Sequence, residues 1–199
     1  GSLIFNFMNE ATSSAMVSIV GNAPLIKKVY IPKYIFPLEK VMFAFVNMLF
    51  SMIALVIMMG VTKLGIIGSA ADLNISWTIV LFFIPMLYTL VFSLGLGLIL
   101  AAVNVYFRDV GHLYSVWTMA WMYLTPIIYP MDIVEGTWVM NVIRLNPMYY
   151  FVTYFRDVVT NGTVPGLKTN LLCMGISLLF LVLGLWVFKK KQDRFILFI

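Results

Sequence analysis

Charged residues are scarce in this sequence. Asp, Glu, Lys and Arg make up 11% of its 199 residues, whereas a soluble domain contains roughly 25%. Hydrophobic residues make up 62%, and the mean hydropathy is +1.00. A core built from so few residues cannot bury that much apolar surface, so lipid must surround much of the chain. The composition therefore excludes an ordinary soluble domain.

Cysteine and histidine are nearly absent, with one residue of each. Cys173 lies inside an apolar run, and His112 has no second histidine or cysteine as a partner. A disulfide framework and a Cys/His metal site within the chain are therefore both excluded, and we expect no bound metal.

The net charge of +5 comes from basic residues at the ends of apolar runs. That pattern indicates membrane orientation rather than nucleic-acid binding.

Motifs that carry chemistry are missing as well. The stretch GNAPLIKK has lysines at the wrong spacing and no second glycine for a G-x-x-x-x-G-K-[ST] loop, so the chain cannot cradle ATP phosphates by itself. No two acids share an apolar run, and no nucleophile–base set is visible. We expect no catalytic residue and no cofactor in this chain. If the protein carries out an energy-requiring process, the energy must come from a partner.

Long uncharged runs are present, and they predict an all-α integral membrane protein. A bilayer core of about 30 Å requires about 20 helical residues. The first run holds Glu10 and several small polar residues, and it is interpreted as an incomplete span whose polar groups face protein or water. The predicted spans cover residues of about 2–20, 41–62, 77–102, 112–130 and 167–188, in a single transmembrane domain over 1–199.

The basic residues predict an orientation for these spans. If the segment 22–33 is cytoplasmic, nine of the 13 Lys and Arg residues lie inside and four outside, as the positive-inside rule expects. The outer segment 131–166 is too polar to span the membrane and too apolar to float free. Because Pro126 and Pro130 before this segment and Pro147 within it break the helical runs, we expect short re-entrant or interfacial helices.

The segment 22–33 is basic and bracketed by prolines. Asn22 can cap a short helix and Pro24 suits its first turn, whereas Pro32 is expected to end it. Two interpretations stay open, a helix that binds a cytoplasmic partner and an ordinary connecting loop with positive-inside lysines. The predicted apolar side of this helix consists of Leu25, Ile26 and Val29. Lys27, Lys28 and Tyr30 lie near that side.

The stretch NVYFRDVGHLY places Arg108 beside Asp109 at the inner end of a span. Local sequence favours a solvated ion pair, which contributes under about 1 kcal/mol, over a docking or gating contact. Upstream, Ser93, Gly97 and Ala101 recur every four residues with Gly95 beside them. This spacing is typical of close helix packing.

Aromatic side chains cluster in two places. Tyr114, Trp117 and Trp121 share one face of the span predicted at 112–130, and five aromatic residues crowd 149–155. An aromatic belt at the membrane interface explains both clusters. A surface on which sugar rings stack is the alternative, and composition alone favours the belt.

Five stretches occur in a fixed order along the chain. They are GNAPLIKKVYIPKYIFP, NVYFRDVGHLY, TPIIYP, LNPMYYFVTYFRD and the basic tail FKKKQDRF. Each is modest alone, but together they cover nearly the whole chain. In this order and spacing they resemble the permease subunit of ABC exporters of polysaccharides and polyol phosphates, a family that includes O-antigen, capsule-like and wall teichoic acid export permeases.

The resemblance implies a transport function and a set of partners. It implies a six-span permease that works as a homodimer with two copies of a separate ATP-binding-cassette ATPase in the bacterial cytoplasmic membrane. Mg-ATP would be bound by that partner, the substrate would be a lipid-linked glycan, and nucleic acid would play no part. The family also begins with an amphipathic helix and a first span, so we expect this chain to be N-terminally truncated.

The resemblance also implies roles for residues. The segment from Asn22 to Pro32 matches the coupling helix that sits in a cleft of the ATPase, and Arg108 and Asp109 match a loop after the fourth span. The outer segment 131–166 matches two short helices at the channel mouth. The residues implied as a channel lining are Tyr114, Trp117, Trp121, Tyr149, Tyr150, Tyr154 and Arg156.

Two other functions remain open at this stage. One is a permease for drugs or small lipids, against which the outer segment argues. The other is a membrane-embedded transferase or hydrolase acting on lipid-linked sugars, which needs a clustered set of acids, a histidine or a metal. Glu10 and Asp132 have no clear partners in the sequence, which weighs against an enzyme.

Overall fold

The fold is described by a computed structural model that covers residues 1–29, 31–63, 81–127, 129 and 136–197. Tyr30, the first residues of the predicted span 77–102 and the first residues of the predicted outer segment lie outside these ranges. Within them the chain is helical and has no strand, as predicted for an all-α membrane protein. The α-helices are α1 Ser2–Gly21, α2 Ala23–Lys28, α3 Ile35–Lys63, α4 Phe83–Tyr106, α5 Val110–Leu124, α6 Val139–Leu145, α7 Pro147–Arg156 and α8 Leu167–Lys191.

Three described segments are long and apolar enough to cross a membrane. They are Ile35–Thr62, Phe83–Tyr106 and Leu167–Phe195, and they overlap the spans predicted at 41–62, 77–102 and 167–188. Each carries an uninterrupted apolar run, so its backbone polar groups are satisfied within the helix, as lipid requires.

The other two predicted spans are helices of a different kind. α1 has 20 residues and rises about 30 Å, but it carries several polar side chains. α5 has 15 residues and rises only about 22 Å. It ends at Leu124 rather than near 130, because Thr125 precedes Pro126 and is extended (φ −100°, ψ 126°), the conformation that a following proline favours.

Glycines set the closest helix contact in the bundle. α4 packs between α1 and α8, and a Cβ at Gly95 would overlap the backbone of Phe180 in α8. A Cβ at Gly184 would in turn overlap the backbone of Gly95, and one at Gly97 would lie 2.9 Å from the Cβ of Ala15 in α1. The small-residue spacing in α4 is therefore used for packing on two sides, as predicted.

The bundle has two distinct ends. At one end, α7 packs against α1, α4 and α8, and it buries Phe151 and Phe155 in the larger hydrophobic cluster. At the opposite end, a smaller cluster gathers Ile26 of α2, Phe36 of α3 and Phe188 of α8. We call these the α7 end and the α2 end.

Candidate coupling and translocation sites

α2 is a six-residue helix that follows α1 directly. Asn22 stands at its N-cap and Pro24 in its first turn, as predicted. The Asn22 side chain does not cap the helix, because its Nδ2 donates to the carbonyl oxygen of Ser18 at 2.8 Å. The helix ends at Lys28, where Val29 becomes extended (φ −129°, ψ 135°), so the expectation that Pro32 ends it is wrong.

The apolar residues of α2 face two environments rather than one. Leu25 and Val29 are 44% and 49% exposed, whereas Ile26 is 8% exposed. Lys27 and Lys28 are exposed beside them. The exposed surface is therefore a pair of apolar side chains flanked by two cations, and Ile26 attaches it to the bundle.

Ile26 and Lys33 connect this segment to α3, α4, α8 and the turn that follows α8. Ile26 packs in the cluster that also holds Phe36 of α3, the last turns of α4 and Phe188 of α8. The Nζ of Lys33 donates to the carbonyl oxygen of Gln192 at 2.6 Å and lies 5.8 Å from the ring centroid of Phe195. The α2 end is thus one packed unit rather than a free connecting loop.

The turn between α4 and α5 carries Arg108 and Asp109 at the α2 end. Both side chains are exposed. The structure describes both residues, and they form no ion pair with each other, so the interpretation as an ion pair is wrong. The carbonyl oxygen of Asp109 accepts hydrogen bonds from the backbone N–H of His112 at 3.1 Å and of Leu113 at 3.3 Å, which starts α5.

A cavity of about 470 Å³ lies between α4, α5, α6, α8 and the start of α7. Tyr114, Trp117 and Trp121 all line it, so the face that they share on α5 is turned to one space. Leu96 of α4 and Phe180 of α8 form an apolar wall opposite. Aromatic rings on α5 facing a second apolar wall suit a ligand with apolar faces.

The three aromatic residues are held differently. The Tyr114 hydroxyl is buried and lies 2.6 Å from the Oγ1 of Thr12 in α1. The Nε1 of Trp121 donates to the Oδ1 of Asn146 at 2.6 Å. Trp117 is 57% exposed, with its ring centroid 6.2 Å from that of Trp121. Two rings are fixed in place, and the third lies at the open side of the cavity.

Asn146 is the residue that the sequence analysis missed. Its Oδ1 also accepts the backbone N–H of Met148 at 2.9 Å, which caps α7, and its Nδ2 donates to the Oγ1 of Thr125 at 2.9 Å. It lines the cavity between Trp121 and Pro147. The signal was present in LNP, since an asparagine before a proline is a typical helix start.

The aromatic residues of α7 do not line this cavity. Tyr149 and Tyr150 contact each other with ring centroids 5.1 Å apart, and the Tyr150 hydroxyl donates to the carbonyl oxygen of Arg144 at 2.8 Å. Tyr154 is 1% exposed, and its hydroxyl donates to the Oδ1 of Asn170 at 2.8 Å. Burial raises the pKa of Tyr154.

Arg156 also has a structural contact rather than a place in the cavity. Its guanidinium donates to the carbonyl oxygen of Pro126 at 2.9 Å. This bond ties α7 to the turn that follows α5. Tyr154 and Arg156 therefore hold the α7 end together.

Glu10 has a partner that the sequence did not indicate. Its Oε1 accepts a hydrogen bond from the Nδ2 of Asn47 in α3 at 2.9 Å, on the surface of the bundle. Asn9 and Ser13, which bond to each other at 3.2 Å, continue this polar strip along α1. Glu10 lies midway along a helix of 20 residues. An ionisable group at that depth indicates a surface that meets protein or water rather than lipid.

Comparison with known proteins adds the family. The model for "ABC-2 type transporter" matches residues 1–160. The O-antigen export system permease protein RfbA of Klebsiella pneumoniae is 29% identical over 95% of this chain and 69% of its own length. The protein of the same name from Myxococcus xanthus is 24% identical over 98% of this chain and 72% of its own length.

The chain belongs to the ABC-2 type transporter family. As an ABC-2 transporter it is a multi-pass protein of the inner membrane, in line with its apolar helices. It is a permease subunit rather than an enzyme, and its partner is an ABC ATPase. Among the residues that the structure describes, no three His, Cys, Asp or Glu side chains are grouped to hold a metal.

Proposed function

We propose that this chain is the membrane-spanning permease of an ATP-driven exporter for a lipid-linked polysaccharide of the O-antigen type. The substrate class rests on the relatives from K. pneumoniae and M. xanthus, which are named O-antigen export permeases. Two copies of the permease act with two copies of the ATPase. The ATPase binds Mg-ATP, and the permease carries its motion to the substrate path.

The observation that carries the coupling role is the anchoring of α2. Its exposed Leu25 and Val29 offer an apolar pair to a cleft in the ATPase, with Lys27 and Lys28 at the rim. Ile26 connects the same helix to α3, α4 and α8 through the α2-end cluster. A push on the exposed pair therefore moves the ends of three long helices together, because packed interiors transmit displacement.

The substrate path follows the aromatic cavity. Tyr114 and Trp121 are fixed by hydrogen bonds to Thr12 and Asn146, and Trp117 stands at the open side. Apolar faces of sugar rings stack on such rings, and a sequence of stacking contacts suits a chain that must slide. Because Trp117 is exposed at this cavity, a second copy facing it would complete the path.

The coupling role predicts the result of a charge placed on α2. Leu25→Asp combined with Val29→Asp puts two carboxylates into the apolar contact, where burying an unpaired charge costs several kcal/mol. We expect the full-length permease to fold and insert but to lose co-purification with its ATPase and surface display of the polysaccharide. The measurements are a pull-down from membranes and an immunoblot of the exported polymer.

Val164→Asp is the control, since Val164 is also an exposed apolar residue but lies at the α7 end. Its ATPase binding and export should match the unchanged protein. Normal export by the Leu25→Asp, Val29→Asp permease would overturn the coupling role of α2. Lost export with the ATPase still bound would place the defect in transmission rather than in docking.

A further inference from the structure

The last turn of α8 and the segment after it form a basic cavity at the α2 end. Tyr106, Lys190, Lys191 and Arg194 line a space of about 300 Å³. This volume equals about ten water molecules at the liquid share of about 30 Å³ each, which is enough for a phosphate-bearing head group. In the part of the chain that the structure describes, no carboxylate forms an ion pair with any of these three cations.

A second, apolar cavity adjoins the basic one. It measures about 260 Å³ and lies between α4 and α8, where Ala102, Val103, Phe107 and Val187 are its apolar lining residues. Tyr106 and Lys191 line both cavities. The two cavities therefore share a border, with three cations on one side of it and an apolar groove on the other.

The aromatic residues nearby indicate the depth of this site. The Nζ of Lys190 lies 5.0 Å from the ring centroid of Trp186, and the Nζ of Lys191 lies 5.1 Å from that of Tyr106. Trp186 is exposed on α8. Tryptophan and tyrosine collect at the level of the lipid head groups, so the lysines beside them stand at the level of lipid phosphates.

We infer that this site binds an anionic phospholipid of the cytoplasmic leaflet, with the phosphate between Lys190, Lys191 and Arg194 and an acyl chain along the groove between α4 and α8. Basic pockets between transmembrane helices on the cytoplasmic side recognise such head groups. The bound lipid joins the ends of two helices that also pack against Ile26. It would stiffen the unit that receives motion from α2.

The test uses the full-length permease with its ATPase, purified in mild detergent with equal amounts of phosphatidylglycerol and phosphatidylcholine. Native mass spectrometry counts the retained lipids. We expect phosphatidylglycerol to be retained in preference, and Lys191→Gln to weaken its retention about fivefold, since one cation near a lipid surface contributes about 1 kcal/mol. Lys189→Gln is the matched control, because Lys189 is an exposed lysine of the same helical turn outside both cavities.

Several outcomes would overturn the inference. Equal retention of the two lipids would exclude a head-group site, and equal effects of the two lysine variants would leave only general surface charge. Complete displacement of phosphatidylglycerol by inorganic phosphate would show that the phosphate alone is recognised and that the groove holds no acyl chain. Loss of the ATPase from the Lys191→Gln permease with unchanged lipid retention would make the cavity a contact with the partner protein instead.

Discussion

Asn146 joins three parts of the candidate translocation site through one side chain. Its Oδ1 accepts from the indole of Trp121 and from the backbone of Met148, and its Nδ2 donates to Thr125. The side chain is nearly buried. A buried polar group with all its partners satisfied fixes one arrangement of its neighbours. Asn146 therefore determines the position of Trp121 in the cavity and the direction in which α7 begins.

We predict that Asn146→Ala destabilises the permease by about 2–4 kcal/mol. The estimate combines a lost helix cap of about 1 kcal/mol with a buried indole donor left unsatisfied, which costs about 1–3 kcal/mol. Thermal unfolding in detergent measures the effect. Asn141→Ala, at an exposed position on α6, is the control and should change the melting temperature little. Equal melting of both variants would contradict the role given to Asn146.

The residues predicted to line the channel fall into two groups according to where the tertiary structure places them. Tyr114, Trp117 and Trp121 could be predicted to act together, because helical periodicity alone puts them on one face. The place of Tyr154 could not be predicted in the same way, because its hydroxyl bonds to Asn170 in another helix. The bond from Asn47 to Glu10 likewise joins two helices, and no local pattern reports such a contact.

At the scale of elements, the contact between α4 and α8 depends on glycine. We predict that Gly95→Ala lowers stability by about 1–3 kcal/mol, the usual cost of overpacking, because the added Cβ meets backbone that cannot rotate away. Gly175→Ala in α8 is the control. No atom lies within 4 Å of a Cβ there, and helix propensity favours alanine by about 1 kcal/mol. The melting temperature should fall for Gly95→Ala and rise for Gly175→Ala. A shift of both in the same direction would contradict the packing argument.

The positions of the helices could be predicted from the sequence more completely than which face of each helix is buried. Uncharged runs located the long helices because lipid forces every backbone group into a helix. α2 was harder, since a helix of six residues makes less than two turns. Its periodicity could not show that Ile26 points into the bundle while Leu25 and Val29 remain outside. That distinction depends on the cluster with Phe36 and Phe188, which are distant in sequence.

At the scale of the whole molecule, α5 leaves much of its apolar surface uncovered. Leu113, Val116, Trp117 and Met119 are all largely exposed on it. With 15 residues it is also too short to cross about 30 Å of hydrocarbon alone. A short, aromatic helix beside an open cavity is suited to face a second copy of the chain, and the proposed homodimer gives it that partner.

The proposed dimer predicts a specific cross-link. In the full-length permease, Val116→Cys should form a disulfide between two copies under mild oxidation, because facing α5 helices bring equivalent residues near the symmetry axis. A disulfide requires Cα atoms within about 7 Å, so the reaction reports close approach. The native Cys173 is buried and does not compete. Leu179→Cys, at an apolar residue that is also exposed but lies on α8, should stay monomeric on non-reducing gels. Cross-linking of Leu179→Cys but not of Val116→Cys would move the dimer contact from α5 to α8 and leave the aromatic cavity facing lipid.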